Sequence, residues 1–261
     1  MNPVPELAPN LKQLRLSGIL DSLEVRNRQA IESKLAYTEF LSLLIHDEVA
    51  RRDQKKFELR LRRAAFRAGK SLEGFDFTRL PNLSRPLIHD LATGRYLLEK
   101  APVLIVGPCG TGKSHLAHAL GHQAVLQDRR VLCRGALDLA VEMGDALDAG
   151  ERKNVVARFL RPDLLIIDDF GLSPLPAAAA QYFLEILLRR YETASTIFTS
   201  NRTLADFGAV LGDPTAAMAI LDRFLHHAHV IKITGPSYRL QHPGVPASDA
   251  TADSDERAAA V

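Results

Sequence analysis

The absences in this sequence narrow the field first. Its 261 residues hold two cysteines, Cys109 and Cys133, too few for a disulfide framework and without the paired spacing of a zinc site. Both read as free thiols, the state kept by a reducing cytoplasm. No apolar run approaches the ~18 residues that a membrane span needs, and no charged start leads into an apolar export segment. A cytoplasmic chain with no membrane partner is therefore expected. There is no nucleophile elbow and no two-glutamate arrangement that points to another chemistry. Internal repeats are lacking, and low complexity is confined to the stretch from Ala247 onward, which reads as a disordered tail. A net charge of +2 says nothing about partners by itself, although its distribution does.

What is present is an ordinary core-forming composition, 46% apolar and 25% charged, in a length that suits an α/β domain with a smaller attachment. Between about 100 and 235 short apolar runs alternate with helical patterns. Val103–Val106, Val131–Cys133, Leu164–Ile167, Thr196–Thr199 and Val230–Ile233 read as strands. Ala136–Leu147, Ala177–Tyr191 and Thr215–Leu225 read as helices between them. That alternation predicts a parallel sheet with helices on both faces, and chemistry at the carboxyl ends of its strands.

The most specific stretch is Gly107-Pro108-Cys109-Gly110-Thr111-Gly112-Lys113-Ser114, which follows the first strand and opens a helix. Glycines let successive N–H groups turn inward as an anion nest, and the helix start adds its positive end. Lys113 can reach β- and γ-phosphates, and the Ser114 hydroxyl can hold Mg²⁺. His115, next on the helix, is counted with the loop. His115, His118 and His122 share helical spacing, but no neighbouring carboxylate or cysteine completes a metal set, so they read as a packed or exposed helix face. Leu164–Ile167 ends in Asp168 and Asp169. Asp168 is assigned to the ion through water, and Asp169 to orienting or polarising an attacking water. Thr199-Ser200-Asn201 closes another strand, where Asn201 can hydrogen-bond that water or the γ-phosphate.

The first 35 residues are spaced like one or two amphipathic helices after an irregular lead-in at Pro3, Pro5 and Pro9. A long helix is expected from a cap at Thr38 to about Ala68, stopped by Gly69. Its second half is basic: Arg51, Arg52, Lys55, Lys56, Arg60, Arg62, Arg63, Arg67 and Lys70 face only Asp53 and Glu58. The pattern suits contact with nucleic-acid phosphates, the alternative being a solvated face.

Taken together, GPCGTGKSHLAHALG (107–121), LLIIDDFGL (164–172), RRYE (189–192), TSN (199–201), the long AMAILDRFLHHAHVIKITGPSYR (217–239) and the leader SLEGFDF (71–77) resemble the IstB-like ATP-binding helpers of bacterial insertion sequences, within the AAA+ ATPases. The resemblance runs from about Leu7 to His242. It implies an AAA+ core at 73–242 with sheet order 5-1-4-3-2, a small helical domain at 1–72 and no C-terminal lid before the tail at 243–261. It also implies ATP with Mg²⁺, slow hydrolysis, assembly as a homo-oligomer on double-stranded DNA, and a DDE transposase as partner. Arg223 resembles the arginine finger supplied across a subunit boundary, and Arg239 the sensor arginine near the end of the core. Two departures stand out: Asp169 replaces the glutamate common at that strand tip, and Phe207 stands where a tryptophan is expected. A helicase loader of the DnaC type is the alternative, with a small-molecule phosphotransferase and a non-hydrolysing adaptor further off.

Overall fold

A computed structural model describes residues 4–66, 70–80, 82–203, 206–211, 218, 222, 224–235 and 237. Arg67, Arg223, Arg239, the tail and most of the expected helix at 215–225 lie outside them. The chain divides into two compact units, Met1–Ala65 and Phe66–Val261.

The first unit is three helices, α1 (Val4–Gln13), α2 (Ser17–Ser33) and α3 (Tyr37–Ala64). From Val4 onward the expected irregular lead-in is helical instead: Pro5 falls in the first turn, where no intrahelical N–H bond is needed, and Pro9 sits inside the helix with one such bond left out. Thr38 is not the cap of α3. That helix is capped at Ala36, whose N–H is bonded by Glu39 at 2.8 Å. It also ends before the expected stop: Ala65 turns left-handed (φ 56°) and closes onto the carbonyl of Arg62, while Gly69 lies outside the described residues.

Glu48 on α3 ties the unit together. Its carboxylate accepts the N–H groups of Gly18 (2.6 Å) and Ile19 (3.3 Å), two donors that the first turn of α2 leaves over. It also pairs with Arg52 at 2.6 Å, and only 6% of the residue is exposed. Burial works against its ionisation, but the bonds from Arg52, Gly18 and Ile19 outweigh it and hold its pKa below the usual value. Removing that charge strands three donors. Glu48→Ala is expected to destabilise the helical unit by about 2–4 kcal/mol, read as an earlier transition in urea.

One position earlier, Asp47 takes a two-pronged bond from Arg26 (2.8 and 2.7 Å), which pulls its pKa down to about 2. A folded value below the unfolded one stabilises the unit above the ordinary value near 3.8, and the gain fades as pH falls through about 2. Asp47→Asn should therefore lower the melting temperature at pH 7 by on the order of 1 kcal/mol's worth, a difference from the wild type that shrinks as pH falls through about 2.

The second unit is a five-stranded parallel sheet in the order β2-β3-β4-β1-β5. Its strands are β1 (Val103–Val106), β2 (Val131–Gly135), β3 (Leu164–Phe170), β4 (Ser195–Ser200) and β5 (His229–Lys232). This is the order expected from the resemblance. β1 and β3 are buried on both faces, which is why they read as unbroken apolar runs. Around them lie α4 (Arg85–Ala92), α5 (Arg95–Glu99), α6 (Lys113–Leu126), α7 (Ala136–Asp148), α8 (Arg152–Leu160), α9 (Ala177–Arg190) and α10 (Phe207–Val210). The core under α7–α9 is aromatic: Phe170 stacks on Phe183 at 4.9 Å and meets Phe207 edge-on at 4.9 Å. Phe207, in the place of the expected tryptophan, fills that cluster as a buried side chain. Among the described residues no helix is long and apolar enough to cross a membrane.

Candidate functional site

The carboxyl ends of β1, β3 and β4 lie side by side. β1 and β4 pair in register to Val106↔Ser200, and the N–H of Gly107 continues the ladder onto the carbonyl of Ser200 at 3.2 Å. The chain must turn sharply there, and Gly107 does so with φ 157°, where a Cβ would sit 2.1 Å from the carbonyl oxygen of Ile233. No residue with a side chain fits against that backbone. The loop then enters α6 through Gly112, left-handed at φ 93°.

The loop is held open from within. Lys113 and Thr111 both donate to the carbonyl of Pro108, at 2.7 and 2.9 Å. Lys113 is nearly fully buried, so its charge belongs to the loop and not to solvent. Above it is a cavity of about 370 Å³ lined by Cys109, Gly110, Gly112, Lys113, Ser114, His115, Asp169 and Asn201 from the expected set. Lys70, Gly74, Phe75, Asp76 and Leu172 complete the wall. The leader before α4 is thus part of the pocket: Phe75 packs edge-on against His115 at 5.2 Å, and His115 Nε2 lies 3.0 Å from the carbonyl of Ser71. Lys70, counted with the basic run in the sequence, lines this cavity.

Facing the loop, the β3–β4 register shifts between Ile167 and Phe170, so Asp168 and Asp169 occupy an irregularity in the ladder. Asp169 is left-handed (φ 57°), a conformation that costs a non-glycine residue about 1–2 kcal/mol. Thr199 on β4 holds it there. Its hydroxyl donates to Asp168 Oδ1 in a short hydrogen bond and accepts the N–H of Asp169 at 2.9 Å. The bend turns Asp169 into the cavity and leaves Asp168 buried beside Ser114. Burial works against ionising Asp168, but hydrogen bonds from His118, Thr199 and Ser114 outweigh it, and its pKa falls to about 2. Asn201, past the end of β4, reaches Cys109 Sγ at 3.5 Å across the cavity mouth.

Sequence reasoning singled out Asn201 past the end of β4 and passed over Thr199, whose place in a strand buried along its whole length gave no signal. It read His118 as part of a packed or exposed helix face; the side chain is buried, and its imidazole lies 3.5 Å from Asp168. Helical spacing places His118 on the face of Ser114, four residues earlier, but only the fold brings β3 to that face. Of the expected basic contacts on the helical unit, Arg51 pairs with Asp21, Arg52 with Glu48 and Lys56 with Asp53. Lys55 reaches Ser17 at 3.5 Å. Arg62 and Arg63 are exposed and carry no ion pair among the described residues.

A half-buried hydroxyl and a buried carboxylate, Ser114 and Asp168, meeting under a glycine loop are hard oxygen donors of the kind that suit Mg²⁺ completed by water and phosphate. Solved structures share this architecture. AMPPCP-bound DnaA from Aquifex aeolicus superposes with a TM-score of 0.55 at 24% identity, covering 65% of this chain and 51% of that one. The structure of DnaI gives 0.53 at 23% identity over 64% of this chain and 92% of that one. At such identity the likeness concerns fold alone, and the fold is the AAA+ P-loop core. Sequence goes further. Residues 9–244 match the family of IstB-like ATP binding proteins. The IS21 insertion-sequence ATP-binding protein of Pseudomonas aeruginosa is 36% identical over 96% of both chains. That of IS5376 in Geobacillus stearothermophilus is 32% identical over 88% of this chain and 91% of the relative. The chain belongs to the IstB-like ATP-binding family.

Proposed function

We propose that the chain is an ATPase that assembles on double-stranded DNA and delivers or activates that DNA for the transposase of its insertion sequence. The observation that carries the reading is the phosphate loop with Lys113 folded into it, set against a strand tip that presents Asp169 to the same cavity. The family and its insertion-sequence relatives support the biological setting.

In this reading the loop N–H groups from Cys109 to Ser114 cradle the β- and γ-phosphates of ATP, and Lys113 leaves the Pro108 carbonyl for them. Phe75 and His115 flank the nucleotide. Ser114 and Asp168 would hold Mg²⁺, which when bound neutralises phosphate charge. Asp169 orients the attacking water and accepts its proton, and Asn201 steadies that water or the γ-phosphate. Arg223, given by a neighbouring subunit, and Arg239 would meet the charge that develops on the γ-oxygens. ATP then holds subunits together and hydrolysis releases them, so turnover times an assembly. In this cycle DNA is held by phosphate contacts from the basic end of α3.

The test is size-resolved binding to a duplex of ~50 base pairs and to the matching single strand, with ATP or ADP and with Lys113→Ala. Large complexes on duplex that need ATP and Lys113 are expected. Preference for the single strand would move the protein to helicase loading, and absence of DNA binding in every nucleotide state would overturn both.

A further inference from the structure

We infer that His118 is a positioning residue for the magnesium site: by donating to Asp168 it fixes the carboxylate that faces Ser114. The inference rests on the nucleotide-site reading above and extends it to a residue with no place in the phosphate loop.

His118 follows Ser114 by one turn of α6, so both side chains leave the same face of the helix, beside Asp168. The imidazole is 2% exposed. Its Nε2 lies 3.5 Å from Asp168 Oδ2 and 3.4 Å from Cys133 Sγ, and the Phe66 ring packs on it with centroids 5.6 Å apart. Nδ1 is buried and has no hydrogen-bond partner among the described residues. A carboxylate only accepts, and a buried N–H without an acceptor is costlier than a buried lone pair, so the proton sits on Nε2, between Asp168 Oδ2 and Cys133 Sγ. Thr199 holds the other oxygen, Oδ1. With a donor on each oxygen the carboxylate has one orientation before any ion arrives. Partners of this kind, one step behind a metal ligand, typically contribute about 10–100-fold to metal affinity.

Side-chain reach makes the inference testable. The glutamine amide nitrogen comes near the place of imidazole Nε2, whereas the asparagine nitrogen stops near Nδ1, short of Asp168. Leucine fills the space with no donor. Binding of a fluorescent ADP analogue to the full chain would be followed at rising Mg²⁺ and, separately, in EDTA.

His118→Leu and His118→Asn are expected to raise the half-saturating Mg²⁺ concentration about tenfold or more, with affinity in EDTA unchanged within about twofold. His118→Gln is expected to return it to within about threefold of the wild type. A role in packing alone would shift EDTA affinity and melting temperature together and would not separate Gln from Asn. Wild-type Mg²⁺ dependence in the Leu and Asn variants, an equal shift in all three, or failure of Leu and Asn to fold would overturn the inference. Wild-type protein that binds no nucleotide would overturn the nucleotide-site reading itself, before any variant is compared.

Discussion

Lys113→Ala is expected to cut ATP turnover by at least about a hundredfold and leave the fold intact. The ammonium is the cation that the phosphate loop carries on its own side chains, and it is buried where a γ-phosphate would accumulate negative charge. In a site shielded from water that charge counts for more than it does at the surface. The fold should survive because the bond that Lys113 gives up is shared: the carbonyl of Pro108 keeps the Thr111 hydroxyl at 2.9 Å. Lys113→Arg is not a rescue, since a planar guanidinium needs more room than a loop closed around one ammonium leaves. Steady-state phosphate release with melting curves on the same samples checks this. Turnover within about threefold of the wild type at unchanged stability would remove Lys113 from the chemistry and take the ATPase reading with it.

The parts of this site that could be read from the chain are those in which a local rule and the tertiary role coincide. Gly107 is needed both for the turn out of β1 and for the close approach of Ile233, so the motif announces both. β1 and the body of β3 read cleanly because burial on two faces leaves apolar residues there, and the carboxyl ends of β3 and β4 mark where Asp169 and Asn201 converge. What could not be read depends on partners brought from elsewhere. α8 was missed because RKNVVARFL opens on three polar residues and offers only a short apolar face, and it becomes a helix by packing Val156 and Phe159 into the core. The Thr199 and His118 bonds to Asp168 are properties of sheet register and helix placement, which no spacing rule contains. Asp169 shows the same limit in its backbone: its left-handed turn is supported by a hydroxyl on the next strand.

The basic half of α3 shows how tertiary pairing changes a charge pattern, and it sets the second large effect. Counted along the sequence, its cations far outnumber nearby acids. In the folded unit Arg51 meets Asp21 from α2, and Arg52 meets Glu48 from one turn earlier. Those two cations support the helical bundle. Arg62 and Arg63, in the last turn, are exposed and point to a different use.

The double variant Arg62→Ala/Arg63→Ala is therefore expected to bind duplex DNA roughly 50-fold more weakly at 0.1 M salt. The slope of log affinity against log salt should become shallower by about 1.8, two phosphate contacts' worth. Its stability should change by only a few tenths of a kcal/mol, the loss of two cations from a helix C-terminus. Arg52→Ala should do the reverse, with a lower melting temperature because Glu48 keeps its burial without its cation, and little change in salt slope. Fluorescence anisotropy on a labelled duplex over a salt series, with ATP present, separates the two. A salt slope unchanged in the double variant but reduced in Arg52→Ala would assign DNA contact to the cations that the fold has already paired, and the exposed pair at the helix end would be a solvated face.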